Sequence, residues 1–191
     1  MVAYTRQQEP LGLGHAVWCA RHLVGNDVFA VLLADDIFRS PTPCLKQMVD
    51  CYSGDGGLVA VERIDGDEIS NYGVLDVGTS SGKLIKVAGL VEKPSPEEAP
   101  SNYAVVGRYI LTPTIFEYLD TQNIGAGGEI QLTDAISWVA KREPFYGLPI
   151  EGERFDCGNK IGYLRANIAF ALGRDELAAD LEKYIKSLID S

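Results

Sequence analysis

The sequence contains no run of about 18 apolar residues, the length that marks a candidate membrane span, and no stretch with the pattern of a signal peptide. A cytoplasmic protein with no membrane partner is therefore expected. The hydrophobic fraction of 46% and the charged fraction of 23% are ordinary for a globular protein, and 191 residues are enough for one good-sized core. We expect one domain over residues 1–191, with a helical tail over residues 161–191.

Cysteine pairs and an excess of basic residues are also missing. The four cysteines, at positions 19, 44, 51 and 157, form no CxxC pair, and the two histidines lie near Cys19 alone. Neither a zinc site nor a disulfide framework is expected from this spacing. The net charge of −10 disfavours a nucleic-acid polymer as a partner. A small phosphorylated ligand fits that charge, because one divalent cation and a few basic side chains can neutralise its phosphates.

The most informative segment is residues 28–37, in which six apolar residues lead to the adjacent carboxylates Asp35 and Asp36. A short apolar run after a turn signal is typical of a strand that is buried on both faces of a parallel sheet. Ligands bind at the carboxyl ends of such strands, so Asp35 is a candidate Mg²⁺ ligand, with Asp156 as a second carboxylate. The alternative is structural: Asp35 and Asp36 cap the next element, and Asp156 makes an Asx-turn.

Two further patterns have both a functional and a structural interpretation. Gly12 and Gly14 precede a helical pattern, where they allow close backbone approach to a ligand or simply form a loop-to-helix turn. Glu92 and Lys93 form a charge pair at a predicted strand end, before Pro94, which disfavours helix at Lys93. The glutamate could accept hydrogen bonds from sugar hydroxyls and the lysine could meet a phosphate, or the pair is simply solvated.

Helical and strand patterns alternate along the rest of the chain, which is typical of an α/β fold. Strands are predicted at 58–62, 103–111 and 145–150, and a hairpin at 72–91. Helices are predicted at 44–52, 113–119 and 129–140, and from 161 onward with a break near 173–175. Residues 154–158 are predicted to form a tight loop. Apolar residues at 177, 181, 184 and 188 predict a contact surface for another helix or a second subunit.

Seven segments, in this order, resemble those of the bacterial UTP–glucose-1-phosphate uridylyltransferases, also called UDP-glucose pyrophosphorylases. They are residues 12–17, 33–37, 71–74, 91–94, 107–111, 129–134 and 155–163. The resemblance covers residues 6–177, and residues 156–160 favour the uridylyl branch over thymidylyl or adenylyl relatives. It implies a Rossmann-like nucleotidyltransferase fold with a mixed, mostly parallel central sheet, helices on both faces and a β-hairpin excursion.

The resemblance implies the Mg²⁺-assisted joining of UTP and glucose 1-phosphate into UDP-glucose and pyrophosphate. The sugar-phosphate oxygen attacks the α-phosphorus in line, and catalysis is mainly positioning and charge neutralisation. Each candidate residue then receives an implied role. These are Gln7 and Gly12 at the uracil, Asp35 and Asp156 at the metal, Tyr72, Gly73, Glu92, Asn102 and Gly107 at the sugar, and Lys93 and Lys160 at phosphate, with Asp35, Lys93 and Asp156 as the catalytic set.

The sequence departs from this family in one respect. Family members have, near their start, a strand followed by a Gly-rich loop with an Arg, a Pro and a Lys that wraps the triphosphate, and residues 1–191 do not contain that signature. The chain therefore resembles a family member that lacks its upstream third. We expect an uncovered sheet edge beside residues 28–33, a homo-oligomer formed through that edge and the C-terminal helix, and weak or no activity. The alternatives are a catalytically silent sugar-nucleotide-binding or assembly fragment, and a thymidylyl or adenylyl sibling.

Overall fold

The structure, a computed structural model, describes residues 2–189, except for the side chains of residues 79–81. The first residue and the last two residues of the expected domain, Met1, Asp190 and Ser191, lie outside the described residues. The strands are β1 Phe29–Leu32, β2 Asp36–Arg39, β3 Gly57–Arg63, β4 Gly73–Ser81, β5 Leu84–Glu92, β6 Tyr103–Leu111, β7 Phe145–Pro149 and β8 Glu153–Asp156. The helices are α1 Leu13–Cys19, α2 Arg21–Val24, α3 Cys44–Cys51, α4 Ile115–Leu119, α5 Leu132–Ala140, α6 Lys160–Leu172 and α7 Asp175–Ile189.

Two compact units make up the chain. Unit 1 comprises residues 1–32 and 44–150, and unit 2 comprises residues 33–43 and 151–191. The single domain over residues 1–191 stays a prediction. No helix within residues 2–189 is both long enough and apolar enough to cross a membrane.

Unit 1 contains a six-stranded sheet in the order β1-β6-β3-β7-β5-β4. The predicted mixed α/β fold is confirmed, but the prediction of a mostly parallel sheet is wrong. Among the described pairings only β3 with β7 is parallel, and the others are antiparallel. Short connections between consecutive strands, such as the turn between β4 and β5, permit only antiparallel pairing, whereas a parallel pair needs a long crossover. Strand composition does not encode that difference.

The hairpin of β4 and β5 is part of this sheet rather than an excursion from it. β5 pairs with β7 through Ile85 and Lys86, and β4 also pairs with β6 through Val74 and Ala104. α5 packs against β5. The hairpin was predicted correctly as a local structure, but its place in the sheet depends on long-range pairing that the local pattern does not contain.

Strand β1 is an antiparallel edge strand with exposed residues, so the prediction that this run is buried on both faces of a parallel sheet is wrong. It pairs antiparallel with β6, and its other edge has no strand partner within residues 2–189. Val28 is 46% and Leu32 is 50% exposed, whereas Phe29 stacks on Phe116 at 5.3 Å between ring centroids. A continuous apolar run therefore did not distinguish an edge strand from a central one. The expected uncovered edge beside residues 28–33 is present among the described residues.

The interior of unit 1 forms around β3, which has a sheet neighbour on each side. Residues 58–61 are almost completely buried between β6 and β7. α3 packs on β3 and β6 and buries Met48 fully. Helix α5 starts at Leu132 rather than at the predicted residue 129. The backbone N–H of Ile130 instead donates to the Leu11 carbonyl, so this tertiary hydrogen bond delays the start of the helix.

Unit 2 combines a two-stranded sheet with two helices. β2 pairs antiparallel with β8, with Asp36 opposite Asp156. The predicted tight loop at 154–158 is wrong in its first half, because residues 153–156 form β8 and only the turn that follows is irregular. The predicted helical tail with a break near Gly173 is confirmed by α6 and α7. α7 has no buried residue among those described, and it exposes Leu177, Tyr184 and Leu188.

Candidate functional site

The loop before α1 packs closely on the segment before α5. The Gly14 N–H donates to the Ile130 carbonyl at 2.9 Å, and the Ile130 N–H donates to the Leu11 carbonyl at 2.7 Å. A Cβ on Gly12 would lie 2.7 Å from the Cβ of Glu129, and a Cβ on Gly14 would lie 2.7 Å from the Ile130 oxygen. Both glycines are thus needed for contacts within the chain itself. The structural interpretation explains their identity without a ligand.

Gln7 is held beside this loop by its side-chain amide. Its Nε2 donates to the Gly12 carbonyl at 3.0 Å and lies 2.9 Å from Nδ1 of His15. His15 is 9% exposed, and its ring stacks on Trp18 with 5.5 Å between centroids. The other ring nitrogen lies 3.9 Å from Sγ of Cys19. Two of the predicted site residues, Gln7 and Gly12, are therefore brought together.

Glu92 is oriented by a threonine from α5. Thr133, only 7% exposed, donates from Oγ1 to Oε2 of Glu92 at 3.0 Å. A Cβ on Gly73 would lie 2.8 Å from Cγ2 of Thr133 and 3.3 Å from that same carboxylate oxygen. The glycine therefore makes room for the pair. Glu92 and Gly73, both predicted at the sugar, are adjacent, and Tyr72 next to them accepts a hydrogen bond from the backbone N–H of Lys93 at 3.1 Å.

Lys93 has an unusual backbone conformation. Its φ of +46° lies in the left-handed region, which a non-glycine residue rarely adopts, and such a residue stores on the order of 1–3 kcal/mol of strain. Helix was correctly excluded here on account of Pro94. The exposed ammonium group has no hydrogen-bond or ion-pair partner among the described residues. An exposed lysine at a fixed strand end can bind an anion.

Asn102 and Gly107 both have structural roles in and beside β6. The Asn102 side-chain amide donates to Oδ1 of Asp65 at 2.9 Å. Gly107 is buried within β6 with a φ of +51°, where the register with β3 shifts between Val59 and Val61. This is a β-bulge, which commonly requires glycine and often lies next to a functional site. Their assignment to the sugar stays a prediction.

In unit 2, Asp35 and Asp156 come together at the end of the β2–β8 pair. The Cys157 N–H donates to the Asp35 carbonyl at 2.7 Å, and the Gly158 N–H donates to Oδ1 of Asp156 at 2.9 Å. A Cβ on Gly158 would lie 3.0 Å from Oδ1 of Asp156 and 3.3 Å from Oδ2 of Asp35. The two carboxylates therefore converge on one point. No three His, Cys, Asp or Glu side chains form a metal-binding group within residues 2–189.

The neighbouring carboxylate Asp36 is buried and paired. Its Oδ1 lies 2.5 Å from Nε of Arg154, and the side chains are 10% and 8% exposed respectively. Burial raises the pKa of Asp36, while the Arg154 guanidinium opposes the increase. Asp36 stands opposite Asp156 in the strand pair. The buried pair thus fixes the two strands that present Asp35 and Asp156.

Lys160 is the first residue of α6 and is exposed. The preceding Asn159 caps the helix, because its Oδ1 accepts from the Gly162 N–H at 2.7 Å. A Cβ on Gly162 would lie 1.9 Å from the Asp156 carbonyl. Much of the segment 155–163 is therefore explained by the turn and cap that hold Asp156, whereas the phosphate role of Lys160 stays a prediction.

The predicted site residues fall into the two units. Gln7, Gly12, Tyr72, Gly73, Glu92, Lys93, Asn102 and Gly107 belong to unit 1, and Asp35, Asp156 and Lys160 belong to unit 2. His15, Thr133 and Arg154 were not among the predicted residues, although each supports a predicted residue or its strand. His15 and Thr133 lie inside segments 12–17 and 129–134, which resemble the family, and this position could have identified them as candidates. Arg154 precedes its segment, and no pattern marked it.

The nucleotidyl transferase family profile matches residues 1–171. The chain belongs to this family. It is 47% identical over 189 residues to UTP–glucose-1-phosphate uridylyltransferase YngB of Bacillus subtilis, a match that covers 98% of this chain and 64% of the relative. It is 46% identical to UTP–glucose-1-phosphate uridylyltransferase 1 of Staphylococcus saprophyticus, covering 97% of this chain and 65% of that relative. The resemblance stated from the motifs is confirmed.

Solved structures of the same family share the fold. A UDP-glucose pyrophosphorylase in complex with UDP-glucose matches with a TM-score of 0.86 and 42% identity, over 90% of this chain and 66% of that one. The UTP-bound enzyme from Acinetobacter baumannii matches with a TM-score of 0.85 and 38% identity, over 96% of this chain and 65% of that one. The chain thus spans slightly less than two thirds of the length of these relatives.

Proposed function

We propose that this chain carries nucleotide-sugar and metal-binding residues of a UTP–glucose-1-phosphate uridylyltransferase. In the proposed reaction an oxygen of glucose 1-phosphate attacks the α-phosphorus of UTP. A new P–O bond forms as the bond to the β-phosphate oxygen breaks, and pyrophosphate leaves with UDP-glucose as the other product. The observation that carries the proposal is the convergence of the Asp35 and Asp156 carboxylates in a chain of this family.

The residues of unit 1 are assigned to the organic parts of the ligand. Gln7 and Gly12 bind the uracil, and their hydrogen bond to each other supports this pairing. Glu92 accepts hydrogen bonds from sugar hydroxyls, for which its contact with Thr133 orients it. The sugar pocket is completed by Tyr72, Gly73, Asn102 and Gly107. Lys93 binds a phosphate of the sugar nucleotide, since its ammonium group is exposed and has no partner among the described residues.

The carboxylates of unit 2 are assigned to Mg²⁺. Two hard oxygen ligands suit an ion that commonly takes one or two carboxylates and completes its shell with water and substrate phosphates. When bound, the ion would neutralise charge on the phosphates. Asp35 and Asp156 hold it, and the backbone N–H groups of residues 157 and 158 keep their loops in place. Lys160 is assigned to a phosphate.

A titration with UDP-glucose in the presence and absence of Mg²⁺, followed by the forward assay, tests the proposal. We expect Mg²⁺-assisted binding with slow or no pyrophosphate release, because residues 1–191 do not contain the basic Gly-rich loop. Slow release supports the transferase, and binding with no release supports a catalytically silent binding or assembly module. Rapid release contradicts the expected weak activity, and failure to bind contradicts both. Parallel assays with dTTP and ATP test the thymidylyl and adenylyl alternatives.

Matched variants localise the binding. Asp35→Asn is expected to weaken Mn²⁺ binding, measured by electron paramagnetic resonance, whereas Asp180→Asn on the exposed surface of α7 leaves it unchanged.

Lys93→Ala is expected to weaken UDP-glucose binding by about tenfold, the usual effect of losing a hydrogen bond to a charged group. The exposed Lys141→Ala serves as its control. Equal effects of Lys93→Ala and Lys141→Ala would contradict the assignment.

A homo-oligomer is part of the proposal. The open edge of β1, with Val28 and Leu32 about half exposed, and the apolar surface of α7 support it. Light scattering at several concentrations tests it, and a monomer at every concentration would contradict it. The cytoplasmic location stays a prediction.

A further inference from the structure

Every donor of the Gln7 side-chain amide is engaged inside the protein. Nε2 carries two hydrogens; the Gly12 carbonyl lies 3.0 Å away and Nδ1 of His15 lies 2.9 Å away. The amide oxygen, Oε1, has no partner among the described residues. Gln7 is half-buried. The side chain therefore offers a ligand an acceptor and no donor.

The Gly12 carbonyl decides which way round the amide lies. The nitrogen and oxygen of a glutamine amide cannot be distinguished by shape, and their positions follow from the surrounding hydrogen bonds. A backbone carbonyl can only accept, so the amide atom beside it must be the nitrogen. That nitrogen also faces Nδ1 of His15, which must then be the acceptor. The imidazole proton consequently lies on Nε2, the nitrogen near Sγ of Cys19.

His15 is held rigidly in this position. It is 9% exposed and stacks on Trp18, with ring planes 21° apart. His15 has no assigned role in the proposed uracil contact of Gln7 or in the proposed metal site. Without an acceptor at Nδ1, one amide hydrogen of Gln7 would lose its partner, and the Gly12 carbonyl alone would hold the amide in place.

We propose that His15 is a positioning residue that fixes the Gln7 amide so that Oε1 selects a pyrimidine carrying a hydrogen at N3. Uracil has such an N–H donor, whereas N3 of cytosine is itself an acceptor and would be repelled by Oε1. Thymine shares the donor, so this arrangement separates uridine from cytidine nucleotides and not from thymidine nucleotides. The inference rests on the proposed uracil contact of Gln7.

Two substitutions of His15 separate the two ring nitrogens. His15→Asn places an amide oxygen near the position of Nδ1, so Gln7 keeps its acceptor. His15→Gln places its amide near the position of Nε2 instead, so Gln7 loses the acceptor that Nδ1 supplied. We expect the ratio of dissociation constants for CDP-glucose and UDP-glucose to fall by about tenfold in His15→Gln, the usual effect of one mispaired hydrogen bond. His15→Asn and Cys19→Ala should keep the wild-type ratio. Isothermal titration with both nucleotide sugars measures it.

An NMR measurement without ligand tests the position of the His15 ring proton independently. It uses the wild-type chain, so it does not depend on the variants folding. At a pH where the His15 ring is uncharged, long-range ¹H–¹⁵N NMR of the wild-type chain should show its proton on Nε2, and a proton on Nδ1 would overturn the inference. Unchanged discrimination in His15→Gln would also overturn it while leaving the proposed function intact. A wild-type chain that binds neither nucleotide sugar would overturn the proposed function, and base selection with it.

Discussion

The candidate residues of unit 1 and those of unit 2 are held by different kinds of interaction. In unit 1, Gln7, Gly12 and Glu92 are positioned by hydrogen bonds to uncharged partners and by glycines that allow backbones to approach closely. In unit 2, the strands that present Asp35 and Asp156 are joined by a buried ion pair. Selecting a base and gathering carboxylates therefore depend on different interactions. The Gln7 amide presents one polarity because its donors are satisfied within the protein, whereas Asp35 and Asp156 are brought together by the strands that the buried Asp36–Arg154 pair joins.

The largest expected effect comes from breaking the ion pair of unit 2. Arg154→Leu would leave Asp36 buried without its guanidinium, and this should lower the free energy of unfolding by about 3–5 kcal/mol. Urea unfolding measures the loss, and hydrogen exchange of the β2 and β8 amides localises it. Glu153→Gln, which breaks the exposed contact with Arg39, should cost less than about 1 kcal/mol. Similar costs for the two variants would show that burial does not make the Asp36–Arg154 pair more important for stability than the exposed pair.

The next effect tests the close contacts of unit 1. Glycine to alanine normally stabilises a helix by up to about 1 kcal/mol, yet Gly14→Ala in α1 should destabilise by about 1–3 kcal/mol because its Cβ would press on the Ile130 carbonyl. Thermal unfolding shows whether the Gly14→Ala variant is less or more stable than the wild type. Gly89→Ala in β5 is the control, since its Cβ would lie 3.7 Å from the nearest atom, Oγ of Ser137. A stabilised Gly14→Ala variant would show that the contact is not tight.

The smallest effect concerns a charge in unit 1. Burial raises the pKa of Asp134, so its contribution to stability is fully present below the ordinary value of 3.8 and is lost as pH rises through the folded-state pKa. Relative to Asp134→Asn, the wild type should therefore lose stability as the pH rises above about 4, by less than about 1 kcal/mol because the side chain is partly exposed. Urea unfolding at several pH values measures this difference. If the wild type became more stable relative to Asp134→Asn as the pH rises, this prediction would be contradicted.

Local elements were largely predictable, because they depend on short patterns. The hairpin before Glu92, the strand that became β6 and the helical break near Gly173 follow from turn residues and apolar periodicity. Pairings were less predictable. The apolar run before Asp35 predicted a central parallel strand and instead forms an antiparallel edge strand, since a strand's neighbours depend on distant segments.

The candidate site shows the same division. Asp35, Glu92 and Lys93 were predicted as candidate residues from residue type and from their place at strand ends, and their roles stay predictions. His15, Thr133 and Arg154 were not predicted, because each acts through a partner that lies in a different segment of the chain. Their spatial proximity, and not their chemical type alone, gives them a role.

The family, the residue types available for chemistry and most local structure follow from the sequence alone, because these depend on order and spacing along the chain. The polarity that Gln7 presents and the meeting of Asp35 with Asp156 follow only from the folded chain. Hydrogen-bond direction and carboxylate convergence depend on atoms brought together from separate segments, and spacing alone does not contain those distances.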